Sequence, residues 1–98
     1  MLITKQTNGD ELTIVLDGRL DTTTAPQLEA EVVSNLDGVK KFVLDMNKLV
    51  YVSSAGLRVL LKAQKIMNKQ GSMVIRNVKD EIKEIFEVTG FDELLTIE

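Results

Sequence analysis

Three residue types are missing from this chain altogether, cysteine, histidine and tryptophan, and the first two bear on function. Without cysteine there is neither a disulfide framework nor a thiolate metal site. Without histidine the commonest general base and the commonest transition-metal ligand are gone. Ser–His–Asp and Cys–His nucleophile systems are therefore excluded, and only a carboxylate or lysine mechanism stays formally open. No apolar run approaches the roughly 20 residues that span a bilayer. Met1-Leu2-Ile3-Thr4-Lys5-Gln6 has no basic region followed by an apolar signal core. A soluble, cytoplasmic protein with no membrane partner is expected. An excess of positive charge is also lacking. The formal net charge is −3, with acids and bases interspersed. No basic stripe is evident that would neutralise phosphates, which disfavours nucleic acid as a direct partner.

What is present is the composition of an ordinary globular chain, 44% hydrophobic and 28% charged over 98 residues. That length predicts one domain, 1–98, with a single core. Leu2 to Thr7 reads as a short strand, Asn8-Gly9 as a tight turn, and Glu11 to Asp17 as a strand with Leu12, Ile14 and Leu16 on one face. Gly18-Arg19-Leu20-Asp21 bends away. Thr24 and Gln27 fit a capping box, with Pro26 in the first turn of a helix that Asp37-Gly38 ends. Phe42-Val43-Leu44 is continuous rather than alternating, which predicts a central strand covered on both faces. Asn47-Lys48 breaks that pattern. From Ala55 to Lys69 the spacing is helical, with Leu57, Leu60, Leu61 and Gln64 inward and Arg58, Lys62, Lys65 and Lys69 wet. Met73-Val74-Ile75 is a further buried strand. Asp80 can cap a third helix with Ile82, Ile85 and Phe86 inward, closed by Thr89-Gly90. Phe91, Leu94, Leu95 and Ile97 form a last amphipathic piece, Ile97 extended. The order β-β-α-β-α-β-α-(α) predicts an α/β fold with right-handed crossovers and a sheet made mixed by its opening hairpin.

The stretch on which the chain turns is Leu49-Val50-Tyr51-Val52-Ser53-Ser54-Ala55-Gly56-Leu57-Arg58. A β-branched run stops, two hydroxyls follow, and a helix begins. Ser53 or Ser54 is the N-cap, accepting from a free N–H of the first turn. The same place suits a negative group, and Ser54 is the hydroxyl placed to carry a phosphate there. The loop is too short, and lacks the terminal Lys, for a nucleotide-binding P-loop. Asp17, Asp21 and Asp45 are acids at strand ends. Asp45 could approach the turn, since strand ends and following loops share one rim. Paired carboxylates there would suit a hard cation or a small carboxylate enzyme, but solvated turn acids are the commoner outcome. Tyr51 reads as packing, its hydroxyl at the edge.

Asp17-Gly18-Arg19-Leu20-Asp21, Phe42-Val43-Leu44-Asp45-Met46, Tyr51-Val52-Ser53-Ser54-Ala55-Gly56-Leu57 and Thr89-Gly90-Phe91-Asp92, in that order, resemble the STAS domain. More narrowly they are similar to the stand-alone bacterial anti-sigma-factor antagonists, and the resemblance covers nearly the whole chain. It implies a STAS-like mixed β-sheet with helices packed mainly on one face. It also implies a non-enzymatic protein without cofactor or metal, monomeric when free. Such a protein binds a serine-kinase anti-sigma factor, is phosphorylated by it on one serine and lets go. A metal-dependent serine phosphatase restores the binding form. Aligning on Gly56-Leu57 puts the acceptor at Ser54, with Ser53 the weaker alternative. Ser53 stands where the common family pattern has Asp. The partner-binding face implied is Leu20, Asp21, Thr22, Ser53, Ser54, Ala55, Gly56 and Arg58. The alternative is a STAS adaptor that is never phosphorylated, in a transport or signalling complex.

Overall fold

Strand alternation and turn chemistry set the first third of the molecule. In the computed structural model, which describes residues 1–98, β1 (Leu2–Asn8) and β2 (Glu11–Leu20) pair antiparallel. Asn8 pairs with Glu11, so the turn residues are Gly9-Asp10 rather than Asn8-Gly9, with Gly9 at φ 62°. A glycine at the first of two turn positions is what a type II′ hairpin needs. Beyond come α1 (Ala25–Asn35), β3 (Lys41–Val52), α2 (Ser54–Gln70), β4 (Ser72–Arg76), α3 (Asp80–Thr89) and a 3-10 turn at Phe91–Glu93.

The sheet order is β1-β2-β3-β4, and β2/β3 and β3/β4 are parallel. A parallel bridge from Ile75 to Ile97 continues it one step further, so Ile97 is extended as the sequence predicts. From β2 onward the sheet grows in one direction only. Right-handed crossovers then place every intervening helix on the same face. Buried residues of all three helices accordingly share one core cluster with Leu12, Ile14, Leu16 and Leu20 of β2 and with Phe42, Leu44, Met46, Leu49 and Val52 of β3. Val43 is buried but lies outside that cluster, on the opposite face. Its register neighbours are Thr13 and Val74. The continuous apolar run thus does not mark a strand with helices on both sides.

Two further expectations change. β3 runs unbroken through Asn47-Lys48 to Val52, and β2 runs on to Leu20 instead of bending away at Gly18. Register shifts at Val15/Asp17 and Gly18/Arg19 give β3 an extra residue at each place. Each bulge lets consecutive residues, Asn47-Lys48 and Val50-Tyr51, face out without ending the strand. Leu94 points outward, while Leu95 packs inward. No helix is long and apolar enough to cross a membrane.

Candidate functional site

β3 delivers its last residue, Val52, into the core, and the chain then turns straight into α2. Ser53 has extended φ/ψ (−92°, 173°), and its Oγ accepts from the Gly56 N–H at 3.3 Å. Ser53 is therefore the N-cap, and Ser54 is the first helical residue. Ser54 is exposed, Ser53 half-buried. The helix does not depend on either hydroxyl. Burial of Leu57, Val59, Leu60 and Met67 contributes roughly 6–12 kcal/mol, against about 1 kcal/mol for a serine cap.

The loop after β2 is fixed beside this turn. The Ser53 N–H donates to the Leu20 carbonyl at 2.8 Å. Gly56 lies so close that a Cβ there would meet Leu20 Cγ at 2.7 Å and the Leu20 carbonyl oxygen at 3.1 Å. Leu20 is fully buried and Gly56 buried, so both position the site from beneath. Thr22, Ser54 and Arg58 are exposed, and Asp21, Ser53 and Ala55 are half-buried. A groove of about 350 Å³ runs from this point between α1 and α2, lined by Thr22, Ala25, Pro26, Ala55, Arg58 and Val59. The Lys62–Glu29 ion pair (3.0 Å) bridges its two walls.

Asp21 organises the loop. Its Oδ1 accepts from the Thr23 hydroxyl (2.7 Å), the Thr23 N–H (3.0 Å) and the Thr24 N–H (3.2 Å). The Thr23 hydroxyl first, then the backbone donors, hold its carboxyl below the ordinary aspartate value, against an opposing effect of burial. This network replaces the expected Thr24–Gln27 capping box. Thr24 makes no side-chain cap bond, because its hydroxyl donates to the Arg19 carbonyl (2.8 Å) and accepts from the Asp21 N–H (2.8 Å). Gln27 reaches away to the Met1 carbonyl. Asp80 likewise does not cap α3; Lys79 occupies that position without a side-chain bond, and Asp80 is inside the first turn.

Asp45 does not approach the turn. It sits in the body of β3 opposite Val15 and Arg76, roughly 20 Å of strand from the site, with its carboxylate on the Asn47 N–H. Asp17, Asp21 and Asp45 form no cluster able to hold a metal. Tyr51 is more exposed than its sequence reading implied. The Arg19 guanidinium stacks on its ring at 4.5 Å and also lies 3.8 Å from Asp21. Sequence reasoning missed this stack and the α1 side of the groove, since both arise from register between distant segments. It could have found the Asp21 turn, because an Asp two residues before Thr is an Asx-turn signal. Arg58, Lys62, Lys65 and Lys69 do line up along the exposed face of α2, so one basic row exists on an otherwise acidic chain.

Comparison with known proteins agrees with this geometry. The STAS domain family matches residues 2–98. BtrV of Bordetella bronchiseptica, provisionally named an anti-sigma factor antagonist, is 44% identical over 78% of this chain and 67% of its own length. The crystal structure of an anti-sigma factor antagonist from Mycobacterium paratuberculosis superimposes with TM-score 0.86 at 18% identity, covering 98% of this chain and 83% of that one. The Bacillus cell fate determinant SpoIIAA in its phosphorylated form gives 0.77 at 16% identity, covering 99% and 91%. At such identities the solved structures speak for the fold, and the family match speaks for descent. That family is regulatory rather than catalytic. A mixed sheet with its helices on one side, a Ser-Ser-Ala-Gly-Leu turn into α2 and a whole-chain match together place this protein among the STAS-domain anti-sigma-factor antagonists.

Proposed function

We propose that the chain binds a serine-kinase anti-sigma factor through the surface around the start of α2 and is released when that kinase phosphorylates Ser54. The observation that carries this reading is the exposed Ser54 on the first turn of α2, next in sequence to Ala55, which lines the α1/α2 groove together with Thr22 of the ordered Asp21–Thr22 loop. Ser53 is the poorer acceptor, because its oxygen is half-buried and engaged by the Gly56 N–H. In the transfer the Ser54 oxygen bonds to the γ-phosphorus of ATP. The bond from that phosphorus to ADP breaks, and the hydroxyl proton leaves. A metal-dependent serine phosphatase reverses the modification by hydrolysis. The protein acts in the cytoplasm and is monomeric when free, within a single domain.

A phosphate brings about −1.5 to −2 charges. On the first helical residue it meets unpaired N–H groups and the positive end of the helix, so the free protein tolerates it. The effect falls on the complex. A partner carboxylate about 6 Å away repels a dianion by roughly 5 kcal/mol at an effective dielectric of 20. Halved by salt, that still weakens binding about fiftyfold. No large conformational change is needed.

Incubation with the kinase and ATP tests the assignment. A gain of one phosphate that is lost in Ser54→Ala is expected; no gain, or a gain retained in that variant, rejects it. Ser54→Asp is expected to stay folded and lose its partner; unfolding would reject the interface mechanism. One observation favours a second reading. Ser53 replaces the family's usual Asp, and a non-phosphorylated adaptor in a transport or signalling complex has no need of that acid. Partner binding with no phosphate gain identifies that case.

A further inference from the structure

We infer that Arg58 is the intramolecular ligand of a phosphate on Ser54, so that one modification adds charge to the binding face and withdraws the cation that face presents. This rests on the Ser54 reading above. Ser54 opens α2, and Arg58 stands four residues later on the same helix. Residues so spaced lie one above the other, with Cβ atoms about 5–6 Å apart. Long helical side chains lean toward the N-terminus, which puts Ser54 within reach of the Arg58 guanidinium.

Arg58 is also uncommitted. It is exposed and takes part in none of the ion pairs of the molecule, which join Lys5 to Glu31, Arg19 to Asp21, Lys41 to Glu11, Lys62 to Glu29 and Arg76 to Glu98. Two of the charged groups near it are already matched. Lys62, the next cation along the helix, is held by Glu29 across the groove, and Asp21 on the neighbouring loop has Arg19 and the Thr23 and Thr24 donors. In the unmodified protein the guanidinium therefore lines the groove with Thr22, Ala25, Pro26 and Ala55, free to meet a carboxylate or carbonyl of the partner. Phosphoserine competes for it with up to two negative charges, geometry suited to a bidentate fork, and no cost of association.

The test uses the full chain with phosphoserine installed at position 54 by chemical synthesis, without a kinase, read by phosphorus NMR against pH. The helix start acts on the phosphate equally in every variant, so differences report Arg58. The second phosphate pKa is expected about half a unit higher in Arg58→Gln than in the wild type, with Lys62→Gln matching the wild type. Arg58 is exposed, so the substitution leaves the fold intact, which the NMR spectrum itself checks. Values for Arg58→Gln and wild type agreeing within about 0.1 unit, or an equal shift in Lys62→Gln, overturn the inference. Because no enzyme is involved, a failure here is separate from a failure of the kinase to modify Ser54.

Discussion

The two ends of α2 are built alike and used differently. Each has a glycine pressed against an earlier segment, Gly56 on Leu20 at the end of β2 and Gly71 on the backbone of Lys40. At the far end one side chain and several backbone groups are spent on joining loops. Gln70 Nε2 donates to the Leu36 and Val39 carbonyls, the Ser72 N–H donates to the Lys40 carbonyl at 2.9 Å, and the Lys40 N–H donates to Asp10 in the hairpin turn at 2.8 Å. Those bonds gather the β1/β2, α1/β3 and α2/β4 connections into one knot. At the near end a single backbone bond, Ser53 to Leu20, joins the segments, and the Asp21 bonds stay inside their own loop. That leaves Thr22, Ser54 and Arg58 exposed on a fixed backbone. Structure is concentrated where the chain is tied, and free side chains where it is merely held. Such a division lets charge at one end change without reaching the fold.

Breaking the far end has the larger effect. A Cβ at Gly71 would clash outright with the Lys40 carbonyl oxygen and lie 2.7 Å from its carbon. Neither is the tip of a flexible side chain, and the Ser72–Lys40 bond shares that carbonyl. Gly71→Ala is expected to cost about 3 kcal/mol in urea unfolding, the upper part of the overpacking range. A loss below about 1 kcal/mol would show the knot to be slack. Gly56→Ala sharpens the contrast. Its Cβ meets mainly the Leu20 side chain, and alanine returns up to about 1 kcal/mol of helix propensity. A net loss of about 1–2 kcal/mol is expected, together with a shift of the Asp21–Thr22 loop visible in amide chemical shifts.

The same contrast explains what could be read in the sequence. The element order, a serine cap at Ser53 or Ser54, the wet cations of α2 and the glycine closing α3 were all legible, because each is set by residues within one or two turns of chain. The cap is a serine before a helical stripe, and Gly90 adopts φ 78° where a helix must stop. What escaped depends on partners distant in sequence. Thr24 gave its hydroxyl to Arg19 rather than to its own helix, since the end of β2, opposite the second bulge of β3, presents that carbonyl. Val43 reads like a residue under a helix, yet lies outside the core cluster that the helices cover, beside Thr13 and Val74. Asp45 looked like a strand end because the bulge after it interrupts alternation without ending the strand. The position of Ser54 was legible for the same local reason as the cap. The groove beside it was not, because α1 supplies one wall.

Smaller changes probe the near end without disturbing the far one. Ser53→Ala removes a single long cap bond and is expected to lower stability by about 0.5–1 kcal/mol, with Ser54 still modified by the kinase. Loss of modification in that variant would mean that Ser53, and not Ser54, faces the kinase.

The smallest expected effect lies in acid. Asp21 has a folded-state pKa below its ordinary 3.8, chiefly through the Thr23 hydroxyl. A carboxylate depressed on folding contributes stability above its unfolded value and loses it as pH falls through the folded one. The contribution of Asp21 is thus complete near neutrality and fades below about pH 4. Asp21→Asn keeps an acceptor oxygen for Thr23 but no titrating proton. Its unfolding free energy is therefore expected to fall less steeply than that of the wild type between roughly pH 4 and pH 2. Because the bonds of Asp21 close within its own loop, the variant is also expected to leave the Gly71 knot, read by amide exchange at Ser72, unaltered at neutral pH. Parallel acid limbs would show that the loop is ordered by Thr24 instead; faster exchange at Ser72 would show that the two ends of α2 are coupled after all.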